Sequence, residues 1–113
     1  MENNKLSSEQ VSMELIANSG DARSYAFQAL NEAKKGNYEI AEQLLKQSEE
    51  SSVKAHQAQT DLLFSEANGE KTEINVLLIH AQDHLMTSML AQELIKEIIL
   101  LHREKEDRKG EGK

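Results

Sequence analysis

The chain reads as an all-α protein, an antiparallel up-down-up bundle of three long helices. Three observations predict this. The 113 residues include no proline, so no rigid ring interrupts a helix anywhere in a chain of one-domain length. Aromatic residues make up only 4% and β-branched runs are few, which argues against strands. Two Gly/Asn pairs, Gly36-Asn37 and Asn68-Gly69, stand between three segments whose apolar residues recur with helical period.

Composition excludes several classes of function. A net charge of −7 argues against general nucleic-acid binding. The absence of cysteine excludes a disulfide framework and a thiol nucleophile, and fits a cytoplasmic protein. Met1-Glu2-Asn3-Asn4-Lys5 is polar and holds no apolar core of a signal peptide. The longest uninterrupted apolar run, Ile98 to Leu101, is too short to span a membrane. The expected organisation is a flexible tail over 1–6, one helical domain over 7–104, and a charged, disordered tail over 105–113.

The first helix starts cleanly. Ser7 and Gln10 form a capping box, and Leu6 with Val11 forms a hydrophobic staple. It runs to about Lys35, with Val11, Leu15, Asn18, Ala22, Tyr25, Ala29 and Ala33 on its inner face. Small residues dominate that face and permit close helix approach. Gly20 lies in mid-helix, at a cost of about 1 kcal/mol relative to Ala. It marks a kink, a tight contact or a tolerated glycine.

Gly36 supplies the C′ residue of the first helix and Asn37 the N-cap of the second. So short a connection makes the two helices antiparallel neighbours. The second helix is expected over about Tyr38–Ala67, with a seam of Ala41, Leu45, Ser48, Ser52, Ala55, Gln59 and Leu62 that is polar through its middle. Asn68-Gly69 ends it. Thr72 is the expected N-cap of the third helix, which runs from about Glu73 to near Glu104.

The third helix has two apolar faces. Ile74, Leu78, Ala81, Leu85, Met89 and Ile99 suit packing on the first two helices. A second seam, His80, His84, Thr87, Ala91, Leu94, Ile98 and Leu101, alternates by four and three. Two helices cannot readily cover both faces of a third, so the second seam predicts self-association in the manner of a coiled coil.

Within this helix, His80, Asp83, His84 and Thr87 fall at i, i+3, i+4 and i+7, one stripe in an apolar surround. Ionisable groups buried at helical spacing are costly unless paired or used. Two histidines four apart have the spacing of a shared metal site, and equally that of a reactive imidazole beside a core or rim neighbour. A di-iron bundle site is disfavoured, because no Glu-x-x-His motif is present. Asp83 is either a used carboxylate or a solvated one. There is no Gly-rich phosphate loop and no Ser, Thr or Cys nucleophile system. If phosphate is handled, a histidine carries it. His56 lies midway along the second helix, where it either approaches the stripe or stands exposed. His102, near a charged end, is expected to be solvated.

The run Ile79-His80-Ala81-Gln82-Asp83-His84-Leu85-Met86-Thr87 resembles the signature of enzyme IIA of the lactose/cellobiose/chitobiose class of the bacterial sugar phosphotransferase system. Asn18-Ser19-Gly20-Asp21-Ala22-Arg23-Ser24 and Ala55-His56-x-x-Gln59-Thr60 are also similar to that family, as is the order of three helices over about residues 10–103. The resemblance implies a phosphoryl carrier. His80 would accept phosphate from the phosphocarrier HPr and pass it to a cysteine of a IIB component, with IIC reached indirectly at the membrane. It implies a homotrimer, a nine-helix bundle, in which Asp83 meets its symmetry mates around an axial cation. Oxygen ligands suit Mg²⁺ or another hard divalent ion there. His84 and Gln82 on the same helix, and Gln59 and His56 on the second, are the candidate neighbours of His80.

The physics fits such a role. An attacking imidazole has to be neutral, and burial favours the neutral form. A groove walled by Leu77, Ile79 and Leu85 would limit hydrolysis of a phosphohistidine. The helix dipole adds little, since His80 lies beyond the first turn. The sugar is read as cellobiose- or chitobiose-like, with lactose next. The alternative function is a non-enzymatic, metal-binding helical scaffold.

Overall fold

Three α-helices account for nearly all of the chain. They are α1 (Ser8–Lys34), α2 (Tyr38–Ala67) and α3 (Val76–Glu111). The computed structural model describes residues 7–111, and there is no strand among them. The expected tail over 1–6 and the staple through Leu6 lie outside the described residues.

The local signals do what their chemistry dictates. The Ser7 hydroxyl accepts from the Gln10 backbone N–H at 3.1 Å, and the Gln10 side chain accepts from the Ser7 N–H at 2.8 Å. This is the expected capping box. At the other end of α1, Gly36 has φ +86°, and its N–H donates to the Ala33 carbonyl while that of Asn37 donates to Glu32. The pair forms a Schellman turn, which needs the left-handed conformation that glycine adopts without a Cβ penalty. Gly69, at φ +89°, repeats the device: its N–H reaches Glu66 and that of Glu70 reaches Ser65. Asn37 occupies the N-cap of α2 but makes no side-chain cap bond.

The start of α3 differs from expectation by about one turn. The helix begins at Val76, and its cap is Asn75 rather than Thr72. The Asn75 side chain accepts from the Leu78 N–H at 2.9 Å, and its carbonyl accepts from Ile79. Asn caps at least as well as Thr, so of two competent residues the later one prevailed. Ile74 accordingly lies outside the helix and is 72% exposed, not part of the inner face. The far end also differs. α3 continues as helix to Glu111, through most of the stretch expected to be disordered. Glu104 and Arg108 stand four apart in the favourable order, and Arg108 and Lys109 complement the dipole in the last turn.

α1 packs along both α2 and α3, which touch each other little. Two apolar clusters result. One joins Ala26, Ala29, Ala33, Ala41, Ile95 and Ile99; the other joins Val11, Leu15, Ala55, Ala81 and Leu85. Between them lies a waist of buried hydroxyls, where Ser48 of α2 donates to the Ala22 carbonyl of α1 at 2.6 Å. The inner face of α1 is broader than expected: Ser19 and Ala26 are fully buried, whereas Asn18 and Tyr25 are half-buried.

Because α1 covers only one side of α3, the opposite side is left bare. Eight large apolar side chains of α3 are exposed, among them Ile79, Leu90, Leu94, Ile98 and Leu101. This is the second seam and its flanks, uncovered within one chain as the two-face pattern predicts. Among the described residues no helix is long and apolar enough to cross a membrane.

Candidate functional site

The site is built on the first three turns of α3. Ala81, Leu85 and Ser88 are buried and seat this part of the helix on its neighbours. His84 sits at the edge of that contact. It is half-buried, and an ideal Cβ placed on Gly20 of α1 would lie 3.6 Å from its Nε2. The imidazole therefore lies directly against the α1 backbone. One turn earlier, His80 stacks on it. The ring centroids are 5.9 Å apart and the planes differ by 14°. His80 is otherwise exposed, as are Asp83 and Thr87.

The stripe expected to be buried is thus not buried in the single chain. Only His84 is sheltered. The reason is the placement of the neighbouring helices: α1 reaches the His84 flank at Gly20, α2 meets α3 at Gln82, and His80, Asp83 and Thr87 lie on the side that neither covers. The expected groove walls also separate. Leu85 is in the core, Leu77 is half-buried, and Ile79 is 58% exposed on the uncovered side. These three residues do not form one groove around His80 within the described chain.

The remaining candidates fall elsewhere. Gln82 faces α2, where the Gln59 amide donates to its Oε1 at 2.5 Å and contacts the Met86 sulfur at 3.8 Å. Two residues of helix set Gln82 on roughly the opposite side from His80. The Gln59–Gln82 bond pins α2 to α3 and is not a wall of the imidazole. His56 is exposed on α2, and among the described residues no hydrogen bond, ion pair or ring contact joins it to His80. His102 is half-buried rather than solvated, its ring 6.3 Å from that of Tyr38. Burial, together with Glu106, raises the Tyr38 phenol above its ordinary pKa. That cluster lies at the other end of the molecule from the stripe.

Thr87 binds its own helix: its hydroxyl donates to the Asp83 carbonyl at 3.0 Å and to that of His84 at 3.3 Å. The Asp83 carboxylate has no hydrogen-bond or ion-pair partner among the described residues. Nor do they include any group of three His, Cys, Asp or Glu placed to hold a metal.

Gly20 is the residue whose place in the site the sequence left open. α1 runs on unbroken from Ser8 to Lys34, and a Cβ at position 20 would stand in ordinary van der Waals contact with His84, at 3.6 Å from its Nε2. A glycine deep in an otherwise good helix was the only signal of it.

Chemically, the arrangement offers an accessible imidazole with one ring face covered, on a helix that also carries the exposed Asp83 carboxylate. Comparison with known proteins identifies its class. Residues 10–103 match the family model described as PTS system, lactose/cellobiose specific IIA subunit. The N,N'-diacetylchitobiose-specific EIIA component of Escherichia coli K12 is 50% identical over 94 residues, 83% of this chain and 81% of that protein. The crystal structure of the cellobiose-specific enzyme IIA from Bacillus anthracis has a TM-score of 0.86 at 47% identity, covering 95% of each chain. In the solution structure of the IIA(chitobiose)–HPr complex of Escherichia coli, a chain that is 45% identical matches with a TM-score of 0.78, over 90% of this chain and 99% of that one. Three helices with this histidine-bearing segment define a component of a sugar phosphotransferase system. Within that class, the chain belongs to the lactose/cellobiose-specific IIA family.

Proposed function

We propose that the protein is a phosphoryl carrier that accepts phosphate from HPr on His80 and donates it to a cysteine of a IIB component. The observation that carries this reading is the pair of stacked imidazoles, one exposed and one seated. His80 presents an uncovered ring edge, as a group that must meet two successive partners requires. The neutral imidazole attacks phosphorus; the new P–N bond forms as the bond to the donor breaks. In the second half-reaction a thiolate attacks, the S–P bond forms, and the imidazole of His80 is the leaving group. The absence of cysteine from this chain agrees with an acceptor thiol on another protein. The similar IIA(chitobiose) chain, whose complex with HPr is known, supports HPr as the donor.

The bare face of α3 supports a homotrimer built through that face. Threefold symmetry would bring three copies of Asp83 together, and three exposed, unpartnered carboxylates suit a hard divalent cation such as Mg²⁺. Such an ion would be structural: it offsets charge between subunits, and phosphoryl transfer at His80 does not pass through it. The carried phosphate is destined for a β-disaccharide, of cellobiose or chitobiose type in preference to lactose. The scaffold alternative has no observation in its favour. Incubation with phosphorylated HPr tests the central reading. The wild-type chain takes up one phosphoryl group per subunit and His80→Ala takes up none; full labelling of His80→Ala overturns the assignment.

A further inference from the structure

Gly20 has no backbone reason to be glycine. Among the described residues only Gly36 and Gly69 adopt positive φ, so any L residue fits the conformation at position 20. A glycine inside a helix costs about 1 kcal/mol relative to Ala. An ideal Cβ here would stand in ordinary van der Waals contact with Nε2 of His84, at 3.6 Å, so the room at this position ends at about the size of Ala and His84 lies just beyond it. A side chain that extends beyond Cβ would meet the imidazole itself.

We propose that Gly20 is a positioning residue for the phosphoryl acceptor. It leaves on α1 the seat that holds His84, and the seated His84 ring in turn sets the plane of His80. The proposal rests on the reading of His80 as acceptor. Its physical content is orientation. His80 is exposed, and among the described residues no hydrogen bond fixes its ring; its only ring contact is the stack on His84. An exposed imidazole free to turn presents its attacking lone pair in line with phosphorus only part of the time, and transfer is sensitive to that alignment. The same seat separates the roles of the two histidines. Nε2 of His84 lies against α1, 3.6 Å from where a Cβ at position 20 would stand, whereas His80 is exposed.

The test is a double-mutant cycle with Gly20→Leu and His84→Ala, read as the rate of labelling by phosphorylated HPr and as the imidazole proton NMR resonances. Leucine is a good helix former, so α1 is retained. Gly20→Leu is expected to slow labelling by tenfold or more and to shift the resonances of both His84 and His80. In the His84→Ala background, where no ring needs the seat, adding Gly20→Leu changes the rate by twofold or less. The smaller Gly20→Ala should shift the resonances in the same direction, by less. An equal loss in both backgrounds would mean a merely structural role and overturn the proposal, as would an unchanged rate for Gly20→Leu. The readouts separate the two levels of the argument. If wild-type protein accepts no phosphate, the acceptor reading fails. The seat itself fails if neither Gly20 variant moves the His84 resonances.

Discussion

The imidazoles of His80 and His84 lie 5.9 Å apart and within 14° of parallel, yet one is exposed and the other is lodged against α1. Residues four apart on a helix sit one above the other, so the stack follows from spacing. The difference in shelter follows from packing, because α1 meets the helix face at the level of Gly20 and covers only the second ring. Under the proposed function, that asymmetry gives different work to two identical side chains.

It predicts the outcome of a histidine scan. His80→Ala should lose all labelling by phosphorylated HPr. His84→Ala should still be labelled, but more slowly, since the acceptor ring loses its stacked neighbour. His56→Ala and His102→Ala should be labelled at close to the wild-type rate, because neither touches the pair. Quantitative phosphate incorporation by intact-mass measurement checks all four. Label lost from His102→Ala with the fold intact would place the acceptor at the wrong end of the molecule.

With His80 as the proposed carrier, HPr and IIB would have to reach the same imidazole edge. Their footprints must therefore overlap, and the shared surface should be small, apolar at its centre and polar at its rim, as suits brief encounters. Titration of a HPr–IIA mixture with IIB should release HPr. A ternary complex formed on one subunit without competition would contradict a single shared site.

Ser48 offers a test of the fold that the site depends on. Its buried hydroxyl donates to the Ala22 carbonyl across the waist between the two apolar clusters. Ser48→Ala removes that bond and should cost about 1 kcal/mol. Ser48→Val adds bulk where α1 and α2 meet through small residues, and overpacking of this kind costs roughly 1–3 kcal/mol. Denaturant unfolding at fixed protein concentration measures both. If Ser48→Val proves as stable as wild type, the waist is not tightly packed.

The parts legible in the sequence were those set by local chemistry. Ser7 with Gln10, Gly36 and Gly69 each carry their own cap, and the structure uses all three as expected. The start of α3 was harder, because Thr72 and Asn75 are both competent caps. The stretch between them is tied to a residue 65 positions away: the Ser8 hydroxyl donates to the Glu73 carbonyl. The helical end of α3 is not legible in composition, because charge alone does not distinguish a solvated helix from a disordered tail. At the site, periodicity placed His80 beside His84. It does not say which flank of α3 meets α1, nor that the Gln59–Gln82 bond lies on the far side of the helix from His80. Facing partners are a property of packing, which a single helix does not record.

The Asp83 carboxylate is exposed on the bare face of α3, between Ile79 and Leu90, and has no partner among the described residues. Association through that face buries the apolar seam and, with threefold symmetry, gathers three copies of Asp83 near one axis. Two carboxylates about 4 Å apart repel by roughly 4 kcal/mol at an effective dielectric near 20. Three cannot remain ionised on an apolar axis without relief, either a shared proton or a cation. A divalent ion relieves all three at once, and oxygen ligands completed by water suit Mg²⁺. Replacing Asp83 by Leu removes the repulsion and the ligands together. The variant should therefore remain trimeric, lose the metal, and gain thermal stability relative to metal-stripped wild type. Sedimentation equilibrium with elemental analysis decides the matter. A monomeric wild-type protein rejects the assembly, and an Asp83→Leu trimer that retains one metal per three chains rejects the carboxylate site.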